Sequence, residues 1–374
     1  MGPMNSSLWL LCLSTLLAIF GFAGVQPLAV TLMEQQGLGA TAIGLLSALI
    51  FGGVLVLAPF QPALVGRFGA MRSYQAGKFM ATLGFVGCAG AASPWAWAGG
   101  MLLLGFGGAL TWPLTDSLLA SEAPPEKKGA WLALFQTGMG MAFALGPFVS
   151  AALVAWPRAV FLGAAAVCAL SSIPLLGRQL PAPVDDDDGG FGVWRSAAGL
   201  AVIAFLGGLF ENGMHTVGTL VALASGWSGA AAVALPGVIA VGALVIQYPL
   251  GHVADRRGTR GVLLLSLAGL VLSVVALPLM SLWPPLLWIL GFWWGAADGC
   301  LYTLAMTGTA QDFPVRQVAS VTTLMVISYT VGSVIGPVLG GFAVDAATLW
   351  GVVVGFGPLA LLGWLITLRQ RPVR

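Results

Sequence analysis

The chain is a succession of apolar runs, each about the 20 residues that a helix needs to cross a bilayer core, separated by short breaks of Gly, Pro and charge. Runs near 8–33, 41–65, 73–92, 95–119, 129–155 and 158–177 form one set. Runs near 196–223, 229–250, 260–280, 283–310, 316–344 and 348–368 form a second. Twelve such spans with short loops use nearly all of the 374 residues. Composition closes off a soluble fold: 58% of residues are hydrophobic, only 7% are charged, and the mean hydropathy is +0.96. A water-facing domain carries roughly a quarter charged residues. Lipid is the solvent that this sequence fits.

The first run reads as a span and not as a cleaved leader. Met1 to Ser7 hold no Lys or Arg, and the apolar stretch continues to about Met33, too long for a signal core. Cys12, Cys88, Cys168 and Cys300 all lie in apolar runs without paired spacing, which suits small buried hydrophobes. The long polar stretch is Arg178 to Arg195, with Pro181, Pro183 and the Asp185 to Asp188 run. It reads as a cytoplasmic linker, 178–195, between bundles 1–177 and 196–374.

Basic residues orient the spans. With the N-terminus inside, fourteen of the fifteen Lys and Arg fall in or beside cytoplasmic loops, among them Arg67, Arg72, Lys78, Lys127, Arg256, Arg260, Arg316, Arg371 and Arg374. Arg158 alone falls outside. The inverse orientation reverses that count, so both termini are expected in the cytoplasm.

The two sets echo each other. Gln36-Gly37-Leu38-Gly39-Ala40 precedes Ser225-Gly226-Trp227-Ser228-Gly229 by 189 residues, and the same offset carries Arg67-Phe68-Gly69 onto Arg256-Arg257-Gly258. One offset for two features argues for duplication of a six-helix unit, a pattern of secondary transporters.

Specific residues then resemble a known family. Gly251-His252-Val253-Ala254-Asp255-Arg256-Arg257-Gly258-Thr259-Arg260 is similar to the signature loop between spans two and three of each half of the major facilitator superfamily. The first half's copy, Pro62 to Gly69, has Gly66 in place of the Asp and Pro62 in place of the initial Gly. Gly332-x-x-x-Gly336-Pro337-Val338-Leu339-Gly340-Gly341 resembles the superfamily's antiporter motif, and Ala142-x-x-x-Gly146-Pro147 is a worn copy on the fifth span. Gly and Pro at these spacings give a kinked helix with a smooth face for close packing. Leu301-Tyr302-Thr303-Leu304, the stretch on to Asp345, and Asp116-Ser117-Leu118-Leu119 look most like the small bacterial YcaD-type members. The resemblance implies an all-α membrane protein of twelve transmembrane helices in two pseudo-symmetric six-helix bundles, in a bacterial inner membrane. Many drug–proton antiporters of the superfamily carry an Arg in the fourth span four residues before a Gly; Met101 stands there, opposite Gly105.

Embedded ionisable groups cost about 2.5–3.5 kcal/mol each on insertion scales, so each invites a function. Glu211, Asn212 and His215 cluster in the seventh run, with Glu211 and His215 one helical turn apart on one face. By the 189 offset His215 corresponds to Gln26, and the resemblance places the first and seventh spans around the central cavity. Glu211 is expected to exchange a proton, with His215 sharing it or touching the solute; a buried pair holding helices in register is the plainer alternative. Asp298 in the tenth span is a further candidate. Of the neutral polar groups Gln26, Gln136, Gln247, Tyr302 and Tyr329, Gln26 and Tyr302 are the first choices for recognition. Asp116 is expected to pair with Arg67 or Arg72 at a cytoplasmic gate, and Asp255 with Arg256 or Arg260 in the second half. Lys78 is placed near the cytoplasmic edge, leaving no mid-span cation and disfavouring a strongly anionic substrate.

No Gly-x-x-x-x-Gly-Lys-Ser/Thr loop is present, which removes direct ATP drive by this chain, and no nucleophile or metal constellation suggests an enzyme. The expectation is a monomeric secondary transporter of a small molecule, working in the lipid bilayer with no nucleic-acid partner. Its energy source is an ion gradient, protons first, with no cofactor. The Gly-Pro motifs tilt the direction to export; proton-coupled uptake and a non-cycling receptor or scaffold are the alternatives.

Overall fold

The computed structural model describes residues 3–124, 128–178 and 191–369. Most of the expected linker, including the Asp185 to Asp188 run, lies outside the described residues, as do Lys127, Arg371 and Arg374 and the side chain of Arg316. Every regular element described is helical. Among the described residues nine helices are long and apolar enough to cross a membrane.

The first set of runs forms α1 (Pro3–Gln35), α2 (Ala40–Leu57), α3 (Gln61–Phe68), α4 (Ala70–Ala89), α5 (Pro94–Glu122), α6 (Lys128–Ala152) and α7 (Pro157–Ser172). The run near 41–65 departs from one straight helix. Pro59 and Pro62 interrupt it with a 3-10 turn, Ala58–Phe60, between α2 and α3, because proline removes a backbone donor and crowds the preceding turn. Ser93 starts α5 by accepting from the Ala96 N–H at 3.3 Å, a side-chain cap for an otherwise orphaned donor.

A short α8 (Phe191–Ser196) leads into the second set: α9 (Ala198–Ala224), α10 (Gly229–Arg257), α11 (Thr259–Ala276), α12 (Leu286–Asp298), α13 (Leu301–Asp312) and α14 (Val315–Arg369). One departure from the sequence reading occurs here. The run near 283–310 is broken at Gly299 and Cys300, so that Asp298 ends α12 instead of sitting inside a continuous helix. A Cβ at Gly299 would collide with Ala243 of α10, so the glycine lets α10 approach at the break. Within α14, Ala347 (φ −162, ψ 30) and Thr348 (φ 47, ψ −111) are non-helical and separate two helices, in keeping with the separate runs near 316–344 and 348–368. A β-branched residue at positive φ is strained.

The duplication is visible in the backbone. Gly37 and Gly226 take φ of 81 and 79, and Gly69 and Gly258 take φ of 88 and 83, each pair 189 residues apart. Packing repeats with it. A Cβ on Gly105 would strike the Ile50 carbonyl, and one on Gly295 would strike that of Ile239. Gly24 meets Gly146 in the first set as Gly213 meets Gly336 in the second.

Residue contacts divide the chain into two compact units: 1–29 with 49–185, and 30–48 with 186–374. Their boundary departs from the expected 1–177 and 196–374, because the α1–α2 turn belongs to the second unit. Asp345 of α14 accepts hydrogen bonds from the Ala40 N–H at 3.0 Å and the Thr41 N–H at 2.8 Å. These are free donors at the start of α2, and a carboxylate there also meets the positive end of the helix dipole. Gly341 lies against the Ala40 carbonyl and Gly44 against that of Pro337, approaches that a side chain on either glycine would block.

In the first unit the cysteines expected to be buried hydrophobes are so: Cys12, Cys88 and Cys168 are buried and free, as is Cys300 in the second unit. Lys78 corrects the sequence reading. It is the ninth residue of the 20-residue α4 and only 1% exposed, inside the bundle and not at its edge. Its ammonium donates to the Ser14 carbonyl at 2.9 Å and to Ser171 Oγ at 3.0 Å. One turn earlier Tyr74 shares a hydrogen bond of 3.0 Å with Thr15, which shares another of 2.8 Å with Thr115. Apolar neighbours along the chain mark a span, but they do not say which way one charged side chain turns.

Candidate functional site

The site begins with glycines. Gly208 and Gly213 on α9 face Gly332 and Gly336 on α14, and a Cβ on Gly208 would collide with the Tyr329 carbonyl, one on Gly332 with that of Phe205. Small residues let helix backbones approach closely in a bilayer, where van der Waals contact and interhelical hydrogen bonds drive association. Beneath the contact, Phe210 of α9 lies with its ring 5.6 Å from Trp294 of α12 and 5.7 Å from Phe356 of α14. Aromatic packing of that kind fixes the rotation of α9 and so the direction of the next residue, Glu211.

Close approach then brings polar side chains together. Asn212 Nδ2 donates to Ser333 Oγ at 2.9 Å and to Tyr329 Oη at 3.3 Å. The Tyr329 hydroxyl donates to Glu211 Oε2 at 2.9 Å. Ser333 sends its own proton back to the Tyr329 carbonyl at 2.8 Å, which leaves its oxygen free to accept from Asn212. Tyr302 of α13 packs its ring 4.7 Å from that of Tyr329, tilted by 50°. Glu211, Tyr302 and Tyr329 each keep part of their surface accessible, whereas Asn212 is buried behind them.

Asp298 completes the group. It is 3% exposed, its Oδ1 has no hydrogen-bond partner, and Glu211 is near enough for the two carboxylates to interact electrostatically. Trp294, one turn earlier on α12, likewise has a buried Nε1 without a hydrogen-bond partner. The arrangement is two embedded acids, one held by a phenol and an amide network and one unpartnered at Oδ1. Two neighbouring carboxylates in a medium of low polarity do not both ionise without a compensating cation. A site of this kind can therefore take up a proton or another cation.

The remaining candidates fall elsewhere. His215 is buried one turn along α9, its carbonyl accepting from Thr219 Oγ1 at 3.2 Å. Gln26 is buried in the first unit with no hydrogen-bond partner for its Nε2. Gln247 donates to Thr303 Oγ1 at 3.3 Å, bridging α10 and α13, and Gln136 is exposed.

At the expected gates, Asp116 Oδ1 is buried without a hydrogen-bond partner, and Trp112 is the side chain in hydrogen-bond reach of the carboxylate. Arg67 and Arg72 are exposed, with the Arg67 guanidinium 5.3 Å from the centre of the Phe68 ring. Asp255 and Arg256 are exposed. Arg260 donates to the carbonyls of Thr367 at 3.3 Å and Leu368 at 2.7 Å, closing the C-terminal end of α14 as a basic side chain at a helix end does. The Gly-Pro motifs act as packing faces. Gly332, Gly336 and Gly340 pack on α9, Pro337 and Gly341 on the start of α2, and Gly146 on the Gly24 side of α1, with Pro147 the next residue of α6.

Ser333 is the functional neighbour that the sequence reading missed. A serine one residue after Gly332 reads as packing until its helix is known to face Asn212.

A duplicated bundle of apolar helices with an embedded acid network defines a polytopic membrane transport protein. The chain belongs to the Major Facilitator Superfamily, whose family model matches residues 11–330 and 200–374. It is 25% identical over 348 residues to the MFS-type transporter YcaD of Salmonella dublin, covering 90% of this chain and 88% of that protein. It is 26% identical over 340 residues to the MFS-type transporter YfkF of Bacillus subtilis (strain 168), covering 87% and 86%. Among solved structures the nucleoside transporter NupG superposes with a TM-score of 0.75 at 14% identity, over 97% of each chain. A bacterial homolog of the human lysosomal transporter Spinster, in an inward-facing and unoccupied conformation, superposes with a TM-score of 0.71 at 15% identity, over 98% of this chain and 95% of that one. At these identities the structural likeness is one of fold.

Proposed function

We propose that this protein is a twelve-span secondary active transporter with both termini in the cytoplasm of a bacterium. It works by alternating access, and movement of a small organic solute is coupled to protons, with export the favoured direction. The observation that carries the reading is the placement of Glu211. It is an embedded, partly accessible carboxylate held by Tyr329 and beside Asp298, in a chain of a transporter superfamily. An acid inside a bundle is costly unless it is used, and proton relays are a common use.

The gates follow the same logic. Arg67, Arg72, Asp255, Arg256 and Arg260 lie on or next to helix ends, and Asp116 lies inside α5 six residues before its end at Glu122; together they are the proposed cytoplasmic gate. Lys78 does not add an anion site, because its ammonium is buried on Ser14 and Ser171. The site's accessible face is acidic and aromatic, so a strongly anionic solute remains disfavoured.

A thermal-shift screen of the purified protein against metabolites and drugs across pH finds a ligand, since anything that binds the folded state stabilises it. That ligand is then followed in proteoliposomes under an imposed pH gradient. Gradient-driven accumulation is expected for the wild type and its loss for Glu211→Gln, with expression and folding retained. Wild-type, pH-dependent transport by the Gln variant would remove Glu211 from the mechanism.

A further inference from the structure

The two arms of α14 leave a groove of about 370 Å³ beside the break at Ala347 and Thr348. Its floor is made of small residues. Gly351 of the second arm lies against the Ala343 carbonyl of the first, an approach that any side chain at 351 would block. Its walls are large: Leu339 and Phe342 on the first arm, Trp350 and Val354 on the second. Phe342 is 55%, Trp350 64% and Val354 72% exposed, so the rim faces the surroundings of the protein and not another helix of the chain. Glycines apart, the described side chains that line the groove are all aliphatic or aromatic.

Size and chemistry together select the occupant. The stretch from Leu339 to Ala346 is about 10 Å long at about 1.5 Å per residue, roughly a third of a hydrocarbon core of about 30 Å. It starts at the end of a span, where the ring of Trp350 suits the headgroup zone. What enters such a slot from lipid is a hydrocarbon chain. The chain fills space in which water would lack polar partners, and it gains dispersion contacts with both walls. A further helix fits poorly, because Gly351, the glycine that would seat it, is already taken by Ala343. A polar solute finds no group in the lining to orient it. Charge then selects the headgroup. Asp345, one position before the lining residue Ala346, is exposed, and its partners are the neutral Ala40 and Thr41 amides, which leave its charge in place. That charge attracts an ammonium and repels a headgroup of net negative charge.

We propose that the α14 groove is a binding site for one zwitterionic phospholipid, with an acyl chain between Phe342 and Trp350 and the ammonium of the headgroup beside Asp345. The bound chain props the two arms at their crossing. Gly336 and Gly340 of the first arm pack on α9, so an occupied groove also steadies the surface against which that helix rests. Occupancy therefore stabilises the folded chain. The leaflet rests on the twelve-span topology proposed above, which puts the break of α14 on the extracytoplasmic side. The site itself depends on α14 alone.

The test is native mass spectrometry of the full chain released from detergent, titrated with palmitoyl-oleoyl phosphatidylethanolamine or with the matching phosphatidylglycerol. One ethanolamine lipid is expected to stay bound after weaker adducts are stripped, with the glycerol lipid held about tenfold more weakly. Ala346→Phe fills the groove from one arm. Gly355→Leu fills it from the other, where a Cβ has ordinary contacts of 3.5 Å to Ala343 and 3.7 Å to Leu339. Each is expected to remove the retained lipid, whereas Leu272→Phe, at an exposed position of α11, keeps it. Thermal melts separate exclusion of lipid from misfolding. Without added lipid both fillers are expected to melt no lower than the delipidated wild type, and only the wild type and Leu272→Phe gain stability from the ethanolamine lipid. Where a filler melts lower, the wild-type melt and the headgroup preference still decide. Retention at the wild-type level in both fillers overturns the proposal. So does equal retention of the two lipids, or a wild-type unfolding temperature that the ethanolamine lipid does not raise. None of these measurements reads proton-coupled flux, so loss of the lipid site leaves the transport reading standing, and loss of coupling at Glu211 leaves the lipid site standing.

Discussion

The Tyr329 hydroxyl on α14 donates a 2.9 Å hydrogen bond to Glu211 Oε2 on α9, and the same hydroxyl receives Asn212 Nδ2 at 3.3 Å. A single phenol thus joins the acid to an amide that is itself anchored on Ser333. Hydrogen bonds to a charged partner contribute about 1.5–3 kcal/mol. Tyr329→Phe keeps the ring and removes that bond. Gradient-driven flux is expected to fall by about tenfold or more, each tenfold corresponding to roughly 1.4 kcal/mol, with the unfolding temperature in detergent lowered by no more than the loss of one hydrogen bond. Flux at the wild-type level in that variant would show that the hydroxyl only fills space.

Glycines at the α9–α14 contact should be intolerant of even one methyl. A Cβ on Gly208 or Gly332 meets a backbone carbonyl, whereas one on Gly251 meets nothing within 4 Å. Overpacking of a close contact costs about 1–3 kcal/mol. Gly208→Ala and Gly332→Ala are expected to lower the unfolding temperature and weaken solute binding, with Gly251→Ala neutral on both. Equal behaviour of all three in a thermal melt would contradict the packing described.

The spans and the duplication were legible in the sequence for a physical reason. Lipid demands long apolar segments, and Gly37, Gly69, Gly226 and Gly258 are punctuation that the backbone itself requires, all at positive φ. Glu211 and Asn212 were equally legible, being polar residues where polarity is costly. What could not be read is rotation and tertiary neighbourhood. Nothing local to Lys78 says that its side chain turns inward to Ser14 and Ser171. Nothing local to Asp298 says that it ends a helix next to an acid 87 positions earlier in the chain. The assignment of 30–48 to the second unit is of the same kind, set by Asp345 more than 300 positions away.

Asp345 should matter for the start of α2. Removing a side-chain acceptor at a helix N-terminus costs about 0.5–2 kcal/mol. Asp345→Ala is expected to speed hydrogen exchange at the Ala40 and Thr41 amides, with little change elsewhere in the second unit. Protonation weakens the carboxylate as an acceptor, so the same loss of protection is expected in the wild type when the solution is acidified through the titration of Asp345. Unchanged exchange in the variant would mean that the two amides are protected by other contacts.

Lys78 gives a contrasting case, a buried charge in the first unit, whereas the acids belong to the second. Lys78→Met removes the ammonium's hydrogen bonds to the Ser14 carbonyl and to Ser171 Oγ, which keeps only the donation from Ser14 Oγ at 3.2 Å, at a cost of about 1–3 kcal/mol. A lower unfolding temperature is expected, with binding at the second unit's acids unchanged. Loss of binding without loss of stability would instead give Lys78 a direct part in transport.

Coupling itself is read most directly in proteoliposomes loaded with a pH-sensitive dye, to which the ligand found by thermal shift is added without any imposed gradient. The solute's own movement should drive protons across the membrane in the wild type. In Glu211→Gln that proton flux should vanish, even if the solute still exchanges across the bilayer. Solute-driven proton flux of wild-type size in Glu211→Gln would contradict the placement of the coupled charge at this acid.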